Sequence, residues 1–318
     1  MAEACYIGID TSNYTTSVSL ANAAGEVIAN LKAPLPVKEG ERGLRQSDAV
    51  FAHTKNLPGL LDQLSEVLRD YSPVAIGVSA RPRDAKDSYM PCFLSGMVAA
   101  HAIAAERRLP IYEFSHQNGH IMAALYGSGA LNTLRHREFG AFHVSGGTTE
   151  MVHVTPVARG FHVALCGEGL DLHAGQAVDR IGVAMGLSFP AGPALEQLAM
   201  RNHKPVPPPR VSVKEGSCHL SGLENLAMKL YSETEDKPLV AAFVLQFLAD
   251  TLYKMTEHLR SLYPGLPLVF AGGVMSNRLI ATDLKRRLTG EVYFSEPAFS
   301  ADNAAGIALL CRDAAING

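Results

Sequence analysis

Two histidines four positions apart, in His116-Gln117-Asn118-Gly119-His120, are the sharpest chemical signal in the chain. On a helix, residues at i and i+4 share a face, close enough for two imidazoles to hold one metal ion. Two imidazoles leave such a site incomplete. Asp302, in Ser300-Ala301-Asp302-Asn303-Ala304-Ala305, is the candidate carboxylate. The competing reading makes His116 a capping or packing residue and Asp302 a helix N-cap. Iron(II) and zinc(II) suit this donor set equally. A zinc peptidase would need H-E-x-x-H with the glutamate as general base, and Gln117, which cannot take a proton, stands in that place.

Two glycine turns come next. In Ser145-Gly146-Gly147-Thr148-Thr149, adjacent glycines let the backbone approach an anion and line up N–H donors, although many such pairs are only tight turns. Ala271-Gly272-Gly273-Val274 follows an apolar strand and precedes a helix, the context of a nucleotide or phosphate turn. Asn277 is then either that helix's cap or a ligand to ribose or base. Asp10 ends the first apolar strand, where an acidic residue either serves a metal–phosphate or a water, or opens a turn. His53, His101, His136, His153, His203 and His258 show no paired spacing and read as surface or core residues; Cys166 reads as a small buried one.

The elements that must position these residues follow from the apolar pattern. Tyr6–Ile9, Ser17–Leu20 and Val27–Leu31 read as strands around a polar turn, followed by a charged loop from Pro34 to Asp48. A helix over Ala49–Asp70, a strand at Val74–Ser79 and a buried, alanine-rich helix at Phe93–Arg107 come next. The same grammar returns in Ala141–Val144, Glu150–Val154 and Ala164–Glu168, so the spacing predicts a duplicated architecture with a polar hairpin in each half. Lys204–Arg210 is proline-rich and reads as exposed and extended. A long helix (Pro238–Leu262), a strand (Leu266–Phe270), a helix from Asn277, a strand (Val292–Phe294) and a helix from Asn303 complete an α/β chain. No G-x-G-x-x-G follows the first strand, so a simple dinucleotide-binding fold is not indicated.

Size and composition are consistent with this. The 318 residues suffice for two domains, and 47% hydrophobic with 19% charged residues suits a globular enzyme. A net charge of −3 provides no global attraction to nucleic acid or to an anionic membrane. Five scattered cysteines, none in C-x-x-C, argue against a disulfide framework and for a reducing compartment. The start lacks a basic segment before its apolar strand, and Leu239–Leu248 is too short to span a bilayer. Cytoplasmic localisation with no membrane role is the expectation.

With these motifs in place, the chain resembles the TsaD family, the tRNA N6-adenosine threonylcarbamoyltransferases long labelled O-sialoglycoprotein endopeptidases. Gly8-Ile9-Asp10-Thr11-Ser12 resembles its G-I-[DE]-T-S opening, Ser115–His120 its H-x-E-G-H region and Val144–Thr149 its V-S-G-G-H-T. Ala174–Arg180 is similar to A-G-E-A-[FY]-D-K, Phe189–Pro193 to Y-P-G-G-P, and Ser221-Gly222-Leu223 to S-G-L-K. Phe270–Asn277 is similar to A-G-G-V-x-x-N, and Ala301–Ala305 to T-D-N-[AG]-A. The resemblance implies a two-lobed actin/Hsp70/sugar-kinase fold, with lobes at 1–112 and 113–318 and the C-terminal helix able to pack back on the first. It implies His116, His120 and Asp302 as metal ligands. It implies His143, Val144, Ser145, Gly146, Gly147, Asp179, Gly192, Gly272, Gly273 and Asn277 as contacts to ATP, AMP or threonylcarbamoyl-adenylate in the cleft. Asp10 is the candidate catalytic residue. A tRNA acceptor, partners resembling TsaB and TsaE, or a TsaD paralogue complete the implied assembly.

The chain also departs from that pattern. Tyr14 and Thr15 replace an acidic pair, Thr148 a histidine, Leu172 an aspartate, Gln176 a glutamate and Glu224 a lysine. Ala80-Arg81-Pro82-Arg83-Asp84 stands where the family has Gly-Pro-Gly. This is the pattern of a diverged paralogue, and it keeps a nucleotide-binding regulatory role open beside the transferase. Peptidase and kinase readings rank lower.

Overall fold

A computed structural model describes the chain except for residues 1, 13, 37–43, 302–303 and 318, and the side chain of 317. It forms two compact units, one of residues 1–135, 156–162 and 301–318, the other of 136–155 and 163–300.

The first unit contains β1 (Glu3–Ser12), β2 (Thr15–Asn22), β3 (Val27–Pro34), α1 (Gln46–Val67), β4 (Tyr71–Arg81), α2 (Phe93–Arg107), β5 (Ile111–Ser115), α3 (His116–Gly127) and α4 (Leu131–Leu134). The second contains β6 (Phe139–Val144), most of β7 (Thr149–Val157) and β8 (Gly160–Glu168), α5 (Ala174–Ala184), α6 (Gly192–Ala199), β9 (Ser212–Lys214) and β10 (Ser217–His219). It continues with α7 (Ser221–Thr234), α8 (Lys237–Leu262), β11 (Leu268–Ala271), a 3-10 turn (Gly273–Ser276), α9 (Arg278–Arg287), β12 (Val292–Phe294) and α10 (Pro297–Ser300). The last helix, α11 (Ala305–Asn317), belongs to the first unit.

Each unit is built on a five-stranded sheet, ordered β3-β2-β1-β4-β5 in one and β8-β7-β6-β11-β12 in the other. In both, an antiparallel hairpin (β1–β2, β6–β7) joins strands that run parallel to the hairpin's first strand. The duplicated hairpin grammar of the sequence is therefore present as duplicated topology.

In the first unit, Ile7, Ile9, Val18, Leu20, Ile76 and Val78 pack with Leu57, Leu60 and Leu64 of α1 and Ala100 and Ala104 of α2. The opposite face carries α11. Gly8 and Gly77 are paired in register on β1 and β4. A Cβ on Gly8 would lie 2.5 Å from Ala304 O, and one on Gly77 would lie 2.7 Å from Cys311 Cβ. Small residues thus let the helix lie directly on the sheet. α3 follows the same logic against α11, because a Cβ on Gly119 would lie 2.9 Å from Ile307 Cδ1. This packing puts α3 and α4 in the first unit, which runs to Arg135 where the sequence placed the division at 112/113. Two burial expectations need correction. Cys166 is half-buried and not buried. α2 is not buried all round, since Leu94 and Val98 are 48% and 70% exposed.

The second core is centred on α8 and on aromatic rings stacked across neighbouring strands. Phe142 lies 4.5 Å from Phe270, which lies 5.0 Å from Phe294. α8 is long and apolar enough to cross a membrane, but 72% of its apolar window is buried inside the protein, as in a core helix.

His53 on α1 is fully buried, its Nδ1 2.9 Å from Thr16 Oγ1, which also accepts from Asn56 Nδ2 at 3.1 Å. Burial disfavours the imidazolium and pushes the pKa below its usual 6.5. In the window between the two values the unfolded chain binds the proton and the folded chain does not. The stabilisation is thus present above the unfolded value and is lost as pH falls through the window. Melting curves between about pH 7 and about pH 5 are expected to drop less steeply for His53→Gln than for the parent. Equal slopes would contradict it.

Candidate functional site

In the first unit, the chain turns directly from β5 into α3, with Ser115 as N-cap; its Oγ accepts from Asn118 N at 3.3 Å. His116 and His120 therefore occupy consecutive turns of one helix, as their spacing requires, with ring centroids 4.2 Å apart. His116 Nδ1 lies 2.7 Å from Asp10 Oδ2, and Asp10 Oδ1 accepts from Ser12 N at 2.8 Å. Asp10 is fully buried near the end of β1 and does not start a turn.

This arrangement suits a metal. A ligating imidazole is commonly oriented by a carboxylate on its other nitrogen. With Nδ1 committed to Asp10, ligation by His116 falls to Nε2. Asp302 lies outside the described residues, and among those described no group of three His, Cys, Asp or Glu side chains could hold a metal. The donors present fit a divalent ion as two of its ligands, with Asp10 behind them.

In the second unit, β6 and β11 run parallel and side by side, so the turns that follow them, at Gly146–Gly147 and Gly272–Gly273, are neighbours. Gly272 adopts φ +104°, which L side chains rarely adopt, and a Cβ there would lie 2.6 Å from Val144 C. The start of α5 is pressed onto the first turn. Gly175 N donates to Ser145 O at 3.1 Å, and a Cβ on Gly175 would lie 2.7 Å from Gly146 N.

Beside these turns is a cavity of about 310 Å³. Val178, Pro190, Pro193, Leu245, Val274 and Ile280 form apolar walls, while Asp179, Glu196, Ser276 and Asn277 supply polar groups next to Gly146, Gly175, Gly192 and Gly273. Of the residues expected from the sequence, Gly146, Asp179, Gly192, Gly273 and Asn277 line it; His143, Val144, Ser145, Gly147 and Gly272 belong to the strand end and turns beside it and are not among its lining residues. Asn277 caps α9, its Oδ1 accepting from Leu279 N and Ile280 N at 3.0 and 3.1 Å, while also lining the cavity. The two readings of that residue are thus compatible.

Sequence reasoning missed Glu196, whose carboxylate accepts from Arg278 N at 2.7 Å and so is held beside Asn277. Its only signal was its place three residues after Pro193. Asp179 Oδ1 accepts from Ala191 N at 2.7 Å, fixing the carboxylate at the wall, and burial pushes its pKa up against that hydrogen bond. The cavity thus joins apolar walls to a fixed carboxylate and an adjacent glycine turn.

Residues 89–309 match the family described as TsaD: tRNA N6-adenosine threonylcarbamoyltransferase. The chain belongs to the TsaD family. It is 34% identical over 226 residues to the tRNA N6-adenosine threonylcarbamoyltransferase of Streptococcus pyogenes serotype M5 (strain Manfredo), a match covering 68% of this chain and 64% of that protein. The match thus spans less than two thirds of the relative's length. Among solved structures, full-length HypF in its phosphate- and nucleotide-bound form aligns with a TM-score of 0.63 at 13% identity, covering 99% of this chain and 55% of HypF. A ROK family glucokinase from Streptomyces griseus in complex with glucose and AMPPNP aligns with a TM-score of 0.52 at 15% identity, covering 97% and 99%. These likenesses show the actin/Hsp70/sugar-kinase fold.

Three of the departures from the TsaD pattern are taken up by local contacts. Leu172 is packed into the second unit's core. Gln176 Oε1 accepts from His173 N at 3.3 Å at the start of α5, and Glu224 pairs with Arg180 at 3.1 Å.

Proposed function

We propose that this TsaD-family protein binds an adenylate in the second unit's cavity and a divalent metal, iron or zinc, through His116, His120 and Asp302, and transfers a carbamoyl-type group from the adenylate to an acceptor amine. The observation carrying this reading is that Gly146, Asp179, Gly192, Gly273 and Asn277, scattered through the sequence, line one cavity. In this reading the apolar walls take the adenine and Asp179 accepts from the ribose hydroxyls. The backbone N–H groups of the glycine turns hold the phosphate. Asp10 holds His116 in register and is a positioning residue. A divalent metal, when bound, would supply Lewis-acid polarisation of an oxygen ligand. The acceptor nitrogen, the N6 of a tRNA adenosine in the family's chemistry, bonds to the carbamoyl carbon, the bond from that carbon to the phosphate oxygen breaks, AMP leaves, and the nitrogen gives up one proton to solvent.

The test supplies threonylcarbamoyl-adenylate and tRNA to the purified protein, with and without TsaB- and TsaE-like partners or a TsaD paralogue, and measures modified adenosine. Product from the parent but not from His116→Ala or His120→Ala supports the transfer. Tight AMP binding without product under every condition favours the second reading, a nucleotide-binding regulatory paralogue. The structural absorption of Leu172, Gln176 and Glu224 is the observation on that side.

Asp179→Asn keeps an acceptor for Ala191 N but removes the charge. AMP affinity is expected to fall about tenfold or more, the usual scale for a lost hydrogen bond to a charged group. Because burial raises the parent carboxyl, parent affinity should weaken on acidification more steeply than the Asn variant's, which keeps only the loss that protonation of the AMP phosphate causes in both. Calorimetric titration against pH reads both; unchanged affinity in the variant would remove Asp179 from the site.

A further inference from the structure

The loop after β4 is tied to the start of α3 by one carboxylate. Asp84 Oδ2 accepts from Ser115 Oγ at 2.7 Å and from Asn118 Nδ2 at 2.8 Å, while Asp84 Oδ1 takes Arg81 Nε at 2.8 Å. The adjoining Pro82 O accepts from Gln117 N at 3.0 Å. Ser115 and Asn118 are buried, 0% and 3% exposed, and together they form the cap of α3. Asn118 also holds the backbone of Phe161, accepting from its N at 2.6 Å and donating to its O at 3.1 Å. His116 lies in sequence between the two residues that Asp84 grips. The rotation of this first helical turn decides how the His116 ring meets Asp10 and His120.

We propose that Asp84 is a positioning residue for the histidine pair, fixing the first turn of α3 so that His116 and His120 present their rings to a divalent cation. The inference rests on the metal reading above. It accounts for two departures from the family pattern together. Asn118 stands where H-x-E-G-H has a glutamate, and Asp84 lies in the loop that replaces Gly-Pro-Gly. Here the helix carries the amide and the loop supplies the carboxylate, 2.8 Å apart. The Arg81 pair is more exposed and neutralises the side of Asp84 facing away from the helix cap.

The test uses the full chain with cobalt(II) as optical probe, and the ring nitrogen NMR shifts of His116 and His120 in metal-free protein. Asp84→Ala is expected to weaken cobalt binding about tenfold or more, alter the cobalt spectrum and shift the His116 ring signals. Asp84→Asn, which keeps one acceptor, should recover part of each effect and serves if the alanine variant does not fold. Arg81→Ala, which leaves the Ser115 and Asn118 contacts in place, should leave the spectrum unchanged. An Asp84→Ala protein that melts lower yet keeps parental cobalt affinity, spectrum and ring shifts would overturn the proposal. A parent that binds no cobalt, with ring shifts that still respond to Asp84→Ala, would remove the metal reading and leave the positioning of the imidazoles supported.

Discussion

Replacing His116 or His120 with alanine is expected to lower divalent-metal affinity by more than about 100-fold, beyond the 10- to 100-fold range typical for loss of a group that only orients a ligand. Donor count sets the size of this effect. His116 and His120 lie on one helix face with rings 4.2 Å apart, so removing either leaves one imidazole from α3. Asp10→Asn should fall within the 10- to 100-fold range, because it leaves both imidazoles and disturbs only the tautomer and tilt of His116. Asp302→Ala should behave as a ligand deletion if the third donor is that carboxylate. Metal content after dialysis and cobalt titration measure all of these, with the melting temperature as folding control. Parental affinity in both histidine variants would end the metal reading. A full effect in Asp10→Asn would instead mean that Asp10 is itself a ligand.

The parts of this protein that were legible from sequence are those whose signal is local. The hairpin β1–β2 and its counterpart β6–β7 announced themselves as apolar alternation around hydroxyl-rich turns, and Phe93–Arg107 and Val292–Phe294 fall on their expected bounds. Asn277 was legible as a cap because its position before an apolar-periodic run is a property of the chain alone. What the sequence hid depends on contacts between distant segments. Asp10 and His116 are 106 positions apart, and nothing near either names the other. Glu196 and Gly175 sit at ordinary helix positions; their place at the cavity appears only once α5 and α6 are laid beside the glycine turns. The division after Arg135 was hidden for the same reason, because α3 is claimed by α11 from the far end of the chain. Asp302, on which the full donor set turns, lies outside the described residues.

The same crossing yields the largest expected effect on stability. A Cβ at Gly306 would lie 2.8 Å from Ala123 N and closer still to the carbonyl oxygen of Gly119, both backbone atoms of α3 with no rotamer to relieve the clash. Gly306→Ala would normally favour a helix, since alanine is the better helix former by roughly 1 kcal/mol. Here the sign is reversed. α11 must move off α3, and β1 and β4 beneath it, paired at Gly8 and Gly77, leave it no room to retreat toward the sheet. Overpacking of this kind is expected to destabilise by about 3 kcal/mol or more, lowering the melting temperature by roughly 6–12 °C. Metal affinity should fall with it, because α3 carries His116 and His120. Gly59→Ala, at a helical glycine whose added Cβ would meet nothing within 4 Å, is the matched control and should be neutral or stabilising. If Gly306→Ala melts with the parent, the close crossing of α3 and α11 is not as described, and the placement of the histidine helix in the first unit loses its physical basis.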